Sequence, residues 1–288
     1  MGPCATRPRA PRGARGGGLA GLVSALVLAS NTLAGCDAPG PRARPAPGAE
    51  LTLATFNVYF PAADDAETVA AVGETQADVI VLQEISARWQ SVLEQRYGGA
   101  YPYRLFAPAG GAGGLGVLSR FPLRDRGLLR PRLKHPAWLV AVSTPVGELN
   151  LLNVHLRASA RPGQDLVSGL LGLSSDHELE MRGFLDACGV EPDVVAGDFN
   201  EAQGGAVGWL VQRGFVDALS LHHAGEPTWR ALRGLFANTL DHVLYNRSLV
   251  AADAWVLRRG HSDHWPLIVR LRRAGAGGPR APDAASGD

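Results

Sequence analysis

The sequence predicts a mixed α/β sandwich. Three observations carry that expectation: apolar runs of strand length recur between residues 51 and 273, helical segments fall between some of them, and one pair of runs is joined by a hairpin-type turn. In chain order, "LTLATFNV" opens as a strand, and "DAETVAAVGETQ" follows with helical character before the second strand, "DVIVLQE". The glycines of "GGAGGLGVLSR" resemble a phosphate-cradling loop, but the Walker lysine is absent, so they read as a surface loop leading into the strand "GLGVLS". "WLVAVST" and "LNLLNVHL" form a hairpin turning at Pro145 to Gly147. The segment "SDHELEMRGFLDACG" reads as a helix with Asp176 as its N-cap and Gly189 at its C-terminal end. "DVVAGDF", "LDHVLY" and "WPLIVRL" complete the set of strands, and there is no internal repeat.

With 288 residues, 46% of them hydrophobic and 19% charged, the chain can bury a full core as one large domain or two small ones. The first 18 residues carry Arg7, Arg9, Arg12 and Arg15 and no acid; an apolar run from Leu19 to Leu33 follows and ends in "LAGC" at Cys36. That run is shorter than the ~20 apolar residues of a membrane-spanning helix. It resembles a bacterial lipoprotein signal, which implies cleavage after residue 35, acylation of Cys36, and a protein held by lipid in the bacterial cell envelope. Removing residues 1–35 leaves 24 basic against 27 acidic residues, a balance unlike that of a non-specific nucleic-acid binder. Cys188 is then the one cysteine left to the domain, so no disulfide is expected within it. Residues 36–50 hold the lipid-attachment Cys and a Pro-rich spacer, residues 51–273 the domain, and residues 274–288 a tail with nothing to bury.

Six strand ends carry polar groups: Asn57 in "TFNVYF", Glu84 in "VLQEIS", His155 in "NVHLR", Asp198 and Asn200 in "GDFNEA", Asp241 and His242 in "TLDHVLY", and Asp263 and His264 in "HSDHWPL". One such residue is ordinarily a turn former. Six in one chain is a different matter, and points to a shared chemical role. Oxygen donors from Asn57, Glu84 and Asp263 suit Mg²⁺ or Mn²⁺, whereas a structural zinc site would want Cys and several His. His242, next to Asp241 on a strand, should face the opposite way and be structural.

The order N, QE, GxxxxSR, NxHL, GDFN, LDH, SDH resembles the endonuclease/exonuclease/phosphatase superfamily, which includes deoxyribonucleases, abasic-site endonucleases, neutral sphingomyelinases and inositol polyphosphate phosphatases. The resemblance covers nearly all of residues 51–273. It implies a four-layer α/β sandwich, two packed mixed β-sheets flanked by helices, with a Mg²⁺-dependent site that hydrolyses phosphate esters. In it Asn57, Glu84 and Asp263 lie at the metal. Asp198 readies the attacking water and Asn200 holds the phosphate or that water. His264, paired with Asp241, binds a phosphoryl oxygen, and His155 is a candidate general acid. Trp229 matches a Thr-Trp element near the substrate edge, although packing explains a Trp there equally well.

The substrate is left open: a nucleic acid, a phospholipid head group as in sphingomyelinases, or a small phosphoester. No obligate protein partner is implied. A non-catalytic binding module of the same fold is the remaining alternative, and it is disfavoured by the completeness of the residue set. The run "LVSGLLGL" within residues 157–175 reads first as a short helix packed on the sheet, and second as a lid or membrane-touching loop over the site. Arg120, Arg124, Arg126, Arg130, Arg132 and Lys134 could guide a polyanion as a local basic patch.

Overall fold

The structure is a computed structural model that describes residues 48–130, 135–158 and 166–275, with the backbone alone for residues 166–175 and Arg233. The expected signal, Cys36, the spacer up to residue 47, Arg132, Lys134 and the tail from residue 276 lie outside the described residues. In chain order the elements are β1 (Glu50–Asn57), α1 (Ala66–Glu74), β2 (Val79–Gln83), α2 (Ala87–Tyr97), β3 (Tyr103–Ala107), β4 (Leu115–Ser119), β5 (Leu123–Leu129), β6 (Ala137–Thr144) and β7 (Gly147–His155). They continue with α3 (Leu166–Cys188), β8 (Val194–Asp198), α4 (Gly205–Gln212), β9 (Val216–Asp217), α5 (Ala218–His223), β10 (Trp229–Ala231), β11 (Phe236–Asn238), β12 (Asp241–Tyr245), β13 (Leu249–Val256) and β14 (Leu267–Arg273).

Two six-stranded sheets result, in the orders β13-β14-β1-β2-β4-β3 and β5-β6-β7-β8-β12-β9. Each is mixed, because β1 runs parallel to β2 and β7 parallel to β8, while their other neighbours pair antiparallel. These parallel strands are covered on both faces, which is why they read as unbroken apolar runs. Alternation then sorts their side chains: Val79 and Val81 point between the sheets, whereas Ile80 and Leu82 point outward under Trp89 and Leu93 of α2. On the far side, Leu152 and Val195 meet Phe184 of α3 and Leu210 of α4. Helix, sheet, sheet and helix stack as four layers, as the sequence predicts.

Local chemistry explains most boundaries. Asp65 caps α1, its carboxylate accepting from Thr68 N at 2.7 Å, and Ser86 caps α2 through Trp89 N at 3.2 Å. The hairpin between β6 and β7 pairs Thr144 with Gly147, whose φ of +99° suits glycine. Gly189 ends α3 at φ +65°, but Asp176 does not begin it. The helix starts at Leu166, so "LVSGLLGL" is the first part of one 23-residue helix and Asp176 sits inside it, paired with Arg157 at 3.0 Å. The helix-forming "LVSGLLGL" run overrides a capping signal that local sequence alone would honour. Among the described residues no helix is long and apolar enough to cross a membrane.

Beneath the site edge the sheets are joined by amides. Gln83 Nε2 donates to Asn153 Oδ1 at 2.8 Å, and Asn153 Nδ2 donates to the carbonyls of Leu82 and Gly116, each at 3.1 Å. Both side chains are fully buried, so the bonds fix one sheet's position on the other instead of leaving unpaired polar groups. The Gln of the QE motif and the first Asn of NxHL therefore act in the frame.

Candidate active site

Strand register brings the predicted residues to one edge. His155 ends β7 directly opposite Asp198 at the end of β8, and Asp198 in turn faces Asp241 at the start of β12. From the other sheet come Asn57 at the end of β1, Glu84 just past β2, and Asp263 and His264 just before β14. The site thus lies on the seam between the sheets. The sharp approach of β8 to β7 needs Gly197: at φ +150°, a Cβ would come within 1.9 Å of the Val154 carbonyl oxygen.

Asp198 is the hub. Its Oδ2 accepts from Asn57 Nδ2 at 3.0 Å and stands 3.5 Å from Nε2 of both His155 and His264, while Oδ1 accepts from the backbone N–H of Asn200 at 2.9 Å. Asn200 is held at φ +52°, and its Nδ2 donates to the Leu156 carbonyl at 2.9 Å. His264 Nδ1 meets Asp241 Oδ2 at 2.8 Å, and His155 Nδ1 meets the Ala112 carbonyl at 3.0 Å. Because a carbonyl only accepts, His155 carries its proton on Nδ1 when neutral and turns Nε2 toward Asp198. The glycine-flanked loop holding Ala112 thus orients a site histidine; it does not cradle a phosphate.

Burial alone would lower the pKa of His264, but the Asp241 and Asp198 carboxylates outweigh it and hold the imidazole up at about 10. Burial works against the charged form of Asp198 as well; His264, His155 and Asn57 outweigh it, and its pKa falls below the usual carboxylate value. Asp241 goes the other way, burial exceeding the pull of His264, and its Oδ1 has no hydrogen-bond partner among the described residues. At Asp198 the neighbouring charges and hydrogen bonds outweigh burial, and at Asp241 burial outweighs them.

The second half of the site is built differently. Asn57 Nδ2 also donates to Glu84 Oε1 at 3.1 Å, so one amide ties Glu84 to Asp198. Glu84 Oε2 accepts from Phe60 N at 2.9 Å, and Asn57 Oδ1 accepts from Tyr59 N at 3.1 Å. Two non-glycine residues here have positive φ, Tyr59 at 59° and Glu84 at 64°. Such backbones cost ~1–3 kcal/mol each and persist where the surroundings over-determine them. Asp263 Oδ2 accepts from Trp229 Nε1 at 3.2 Å. The half-buried Glu84 carboxylate, with the Asn57 amide oxygen beside it, is an all-oxygen donor set that fits a hard divalent cation. Asp198, Asp241 and His264 also offer ligand atoms within 4.8 Å of one another. A protonated His264 has no lone pair to give, so that cluster fits hydrogen bonding and ion pairing better.

Behind the loop that follows β8 lies a buried chain of groups of which the strand-end residues include only His242. His242 Nδ1 meets Asp217 Oδ2 at 3.0 Å, and its Nε2 meets the Glu201 carbonyl at 2.9 Å, which confirms a structural role facing away from the site. Glu201 Oε2 meets His177 Nδ1 at 2.9 Å, and His177 Nε2 meets the Arg157 carbonyl at 2.8 Å. Opposed by burial, Glu201 still raises the His177 pKa, and Asp217 does the same for His242. Nearby Glu180 is fully buried with Arg157 Nε 3.6 Å away, and burial pushes its pKa up. The one sequence signal for this network was polar residues on an otherwise apolar helix face. Thr228 and Ser262 complete the frame: Thr228 Oγ1 accepts from Asp241 N at 2.9 Å, and Ser262 Oγ donates to the Asn57 carbonyl at 2.8 Å.

Three residues of the basic segment have acidic partners: Arg120 pairs with Asp78 at 3.1 Å, and Arg124 and Arg126 share Glu148 at 3.0 and 3.4 Å, at the end of the sheet away from the site. Opposite charges arriving from other strands meet these three, which a linear reading cannot see; Arg132 and Lys134 lie outside the described residues. Trp229, by contrast, does reach the site edge, bridged to the His264 backbone and bonded to Asp263.

Comparison with known proteins agrees with this geometry. A family model, the Endonuclease/Exonuclease/phosphatase family, matches residues 54–264. The chain belongs to this family. Its members hydrolyse phosphoester bonds with divalent-metal dependence. Among solved structures, TDP2 of D. rerio, humanized by 14 mutations, is 16% identical with a TM-score of 0.58, covering 77% of this chain and 99% of that one. A 3'-5' exonuclease (NExo) from Neisseria meningitidis is 17% identical at a TM-score of 0.55, covering 76% and 98%. An AP endonuclease from Archaeoglobus fulgidus is 18% identical at 0.56, covering 76% and 98%. At these identities the likeness is one of fold. No curated relative matches the chain by sequence.

Proposed function

We propose that this protein is a Mg²⁺-dependent phosphodiesterase, nuclease-like in its chemistry, that hydrolyses a phosphate ester by in-line attack of water. The observation that carries the reading is the convergence on Asp198 Oδ2 of Asn57 Nδ2 at 3.0 Å and two imidazole Nε2 atoms at 3.5 Å. A carboxylate kept ionised between two imidazoles can orient water and take its proton, with the cationic His264 in place beside it. Glu84, Asn57 and Asp263 would hold the cation, which when bound neutralises phosphoryl oxygen charge and acidifies water.

The chain's own residues divide the remaining work. Asp198 aligns the water opposite the leaving oxygen and accepts its proton. Asn200 fixes the Asp198 carboxylate through its backbone N–H. His264, charged and tied to Asp241, donates from Nε2 to a phosphoryl oxygen as negative charge grows there. His155, in its doubly protonated form with Nδ1–H kept on the Ala112 carbonyl, supplies a proton from Nε2 to the departing ester oxygen. One P–O bond forms and one breaks, giving an alcohol and a phosphate monoester. Neighbours in fold include one solved with single-strand DNA product and a 3' phosphatase bound to a product DNA hairpin, which supports a phosphate ester carried on DNA as substrate.

A phospholipid head group is the second reading. It is favoured by the hairpin of β10 and β11, where Leu232, Leu235 and Phe236 are 71%, 76% and 50% exposed on an element rooted at Asp263 and His264. Lipid attachment at Cys36 in the cell envelope would place such a tip near a membrane. The deciding assay measures hydrolysis of plasmid DNA, sphingomyelin vesicles and an aryl phosphodiester, each with Mg²⁺ and with EDTA. Metal-dependent nicking of DNA supports the first reading and lipid turnover alone the second; inactivity on all three removes both.

A further inference from the structure

Tyr59 poses a problem that neither backbone nor packing resolves. At φ 59°, ψ 102° its conformation is one that glycine adopts freely and an aromatic residue resists. The conformation itself has a purpose: the turn delivers Tyr59 N to Asn57 Oδ1 and Phe60 N to Glu84 Oε2, fixing two candidate metal-site residues. Glycine would serve that turn equally well. The ring is not there for the core either, since Tyr59 is 44% exposed and its neighbour Phe60 is 37% exposed. Two aromatic rings therefore stand exposed on a strained segment, directly beside residues that would hold the cation at the scissile phosphate.

The segment is also rigid. Trp89, fully buried in α2, donates its Nε1 proton to the Tyr59 carbonyl at 3.1 Å, and Ala62 N donates to the same oxygen at 2.8 Å. Both backbone polar groups of Tyr59 are thus satisfied from within, and the two ring centroids lie 6.1 Å apart with planes tilted by 57°. A fixed aromatic pair half in water suits a planar group with a π-face and polar edges, because such a group keeps its edge hydrated while it stacks. An aliphatic chain would be less well served: Asp64 and Arg88, an exposed ion pair on the adjoining turn and helix, leave it no continuous apolar wall.

We propose that Tyr59 and Phe60 form a stacking platform for a nucleobase flanking the scissile phosphate, which makes the substrate a nucleic acid with unpaired bases. The inference rests on the phosphodiesterase reading above and narrows it. It assigns selectivity to the rings and hydrolysis to the residues around Asp198.

The test compares two substrates of equal length, oligothymidylate and an oligomer of abasic tetrahydrofuran phosphodiester units, cleaved by the full-length protein with Mg²⁺. The wild type should prefer oligothymidylate. In Tyr59→Gly and in Phe60→Leu, the ratio of kcat/KM between the two substrates should fall roughly tenfold, within the range a stacked base contributes, mostly through KM. Tyr59→Gly is the control on folding, since glycine accepts the backbone and the variant should melt no lower than the wild type. Equal rates on both substrates in the wild type, or an unchanged ratio in both variants, would overturn the platform while leaving hydrolysis intact. Loss of binding to phosphatidylcholine vesicles with an unchanged ratio would show that the rings meet a membrane, which also overturns it. If the wild type cleaves neither oligomer yet turns over sphingomyelin or an aryl phosphodiester, the phosphodiesterase reading survives and the nucleobase platform does not.

Discussion

The two halves of the site are built on opposite principles. Around Asp198, the protein supplies its own countercharges: two histidines, a second carboxylate and an amide, all buried and bonded to one another. Around Glu84, it supplies a half-buried carboxylate, strained backbone and exposed rings, with amide donors but, among the described residues, no cationic side chain bonded to the carboxylate. The first half is complete as folded, whereas the second is arranged to receive something. Preorganised charge stabilises a transition state because no reorganisation is needed at the moment of reaction. An incompletely neutralised carboxylate on a rigid turn is what an incoming cation requires.

The largest effect should come from the complete half. Asp198→Asn should reduce hydrolysis on the order of 10³-fold while leaving the circular dichroism spectrum unchanged, and added metal should not restore it. His264→Ala should be as inactive. It should also be less stable by roughly 3 kcal/mol in urea titration, because it strands Asp241 and Asp198 in the interior without their cation. Normal rates in either variant would remove the proposed mechanism.

Next comes the receptive half. EDTA should silence the enzyme and Mg²⁺ restore it, and Glu84→Gln should raise the Mg²⁺ concentration for half-maximal rate by roughly 10–100-fold. If Glu84→Gln behaves like Asp198→Asn, inactive at every Mg²⁺ concentration, the contrast between the halves is lost.

A third test uses pH. The folded pKa of His264, about 10, lies above the ordinary value of 6.5. Its contribution to stability is therefore full below pH 6.5 and lost progressively as pH rises through about 10. Urea titrations of wild type and His264→Ala should converge over that window. A gap that widens as pH rises would mean that His264 is neutral in the folded protein.

Smaller effects are expected farther out. His177→Ala leaves Glu201 Oε2 without its partner, Oε1 keeping Val207 N, so kcat should fall by roughly tenfold as the loop carrying Asn200 loosens, and stability by ~1–3 kcal/mol. Asp65→Ala removes the cap of α1 together with the carboxylate paired with exposed His261 Nδ1 at 3.0 Å, and should cost about 1 kcal/mol with no change in rate. A rate loss in Asp65→Ala would mean that α1 couples to the site more strongly than its hydrogen bonds indicate.

Legibility in the sequence follows burial. The central strands β1, β2, β4, β6, β7, β8, β12 and β14 could be read because each places a dense apolar run in a core. Edge strands could not: β5, with exposed Arg124, Asp125 and Arg126, has the charged composition that keeps sheet edges from pairing with other chains, and it looks like loop. Short β10 and β11 form a sheet of their own, outside both large sheets, and leave no periodic signal.

By itself the sequence determined the kinds of residue available and where each leaves its strand, because side-chain alternation and apolar runs are local properties of the chain. That was enough to nominate Asn57, Glu84, His155, Asp198, Asn200, Asp241, Asp263 and His264. The tertiary structure decided their partnerships. Asn57 and Asp198 are 141 residues apart in sequence and 3.0 Å apart in space, and His177 reaches Glu201 only because α3 packs behind β8. It decided charge as well, raising His264 and lowering Asp198, because a pKa depends on burial and on neighbours that other parts of the chain supply.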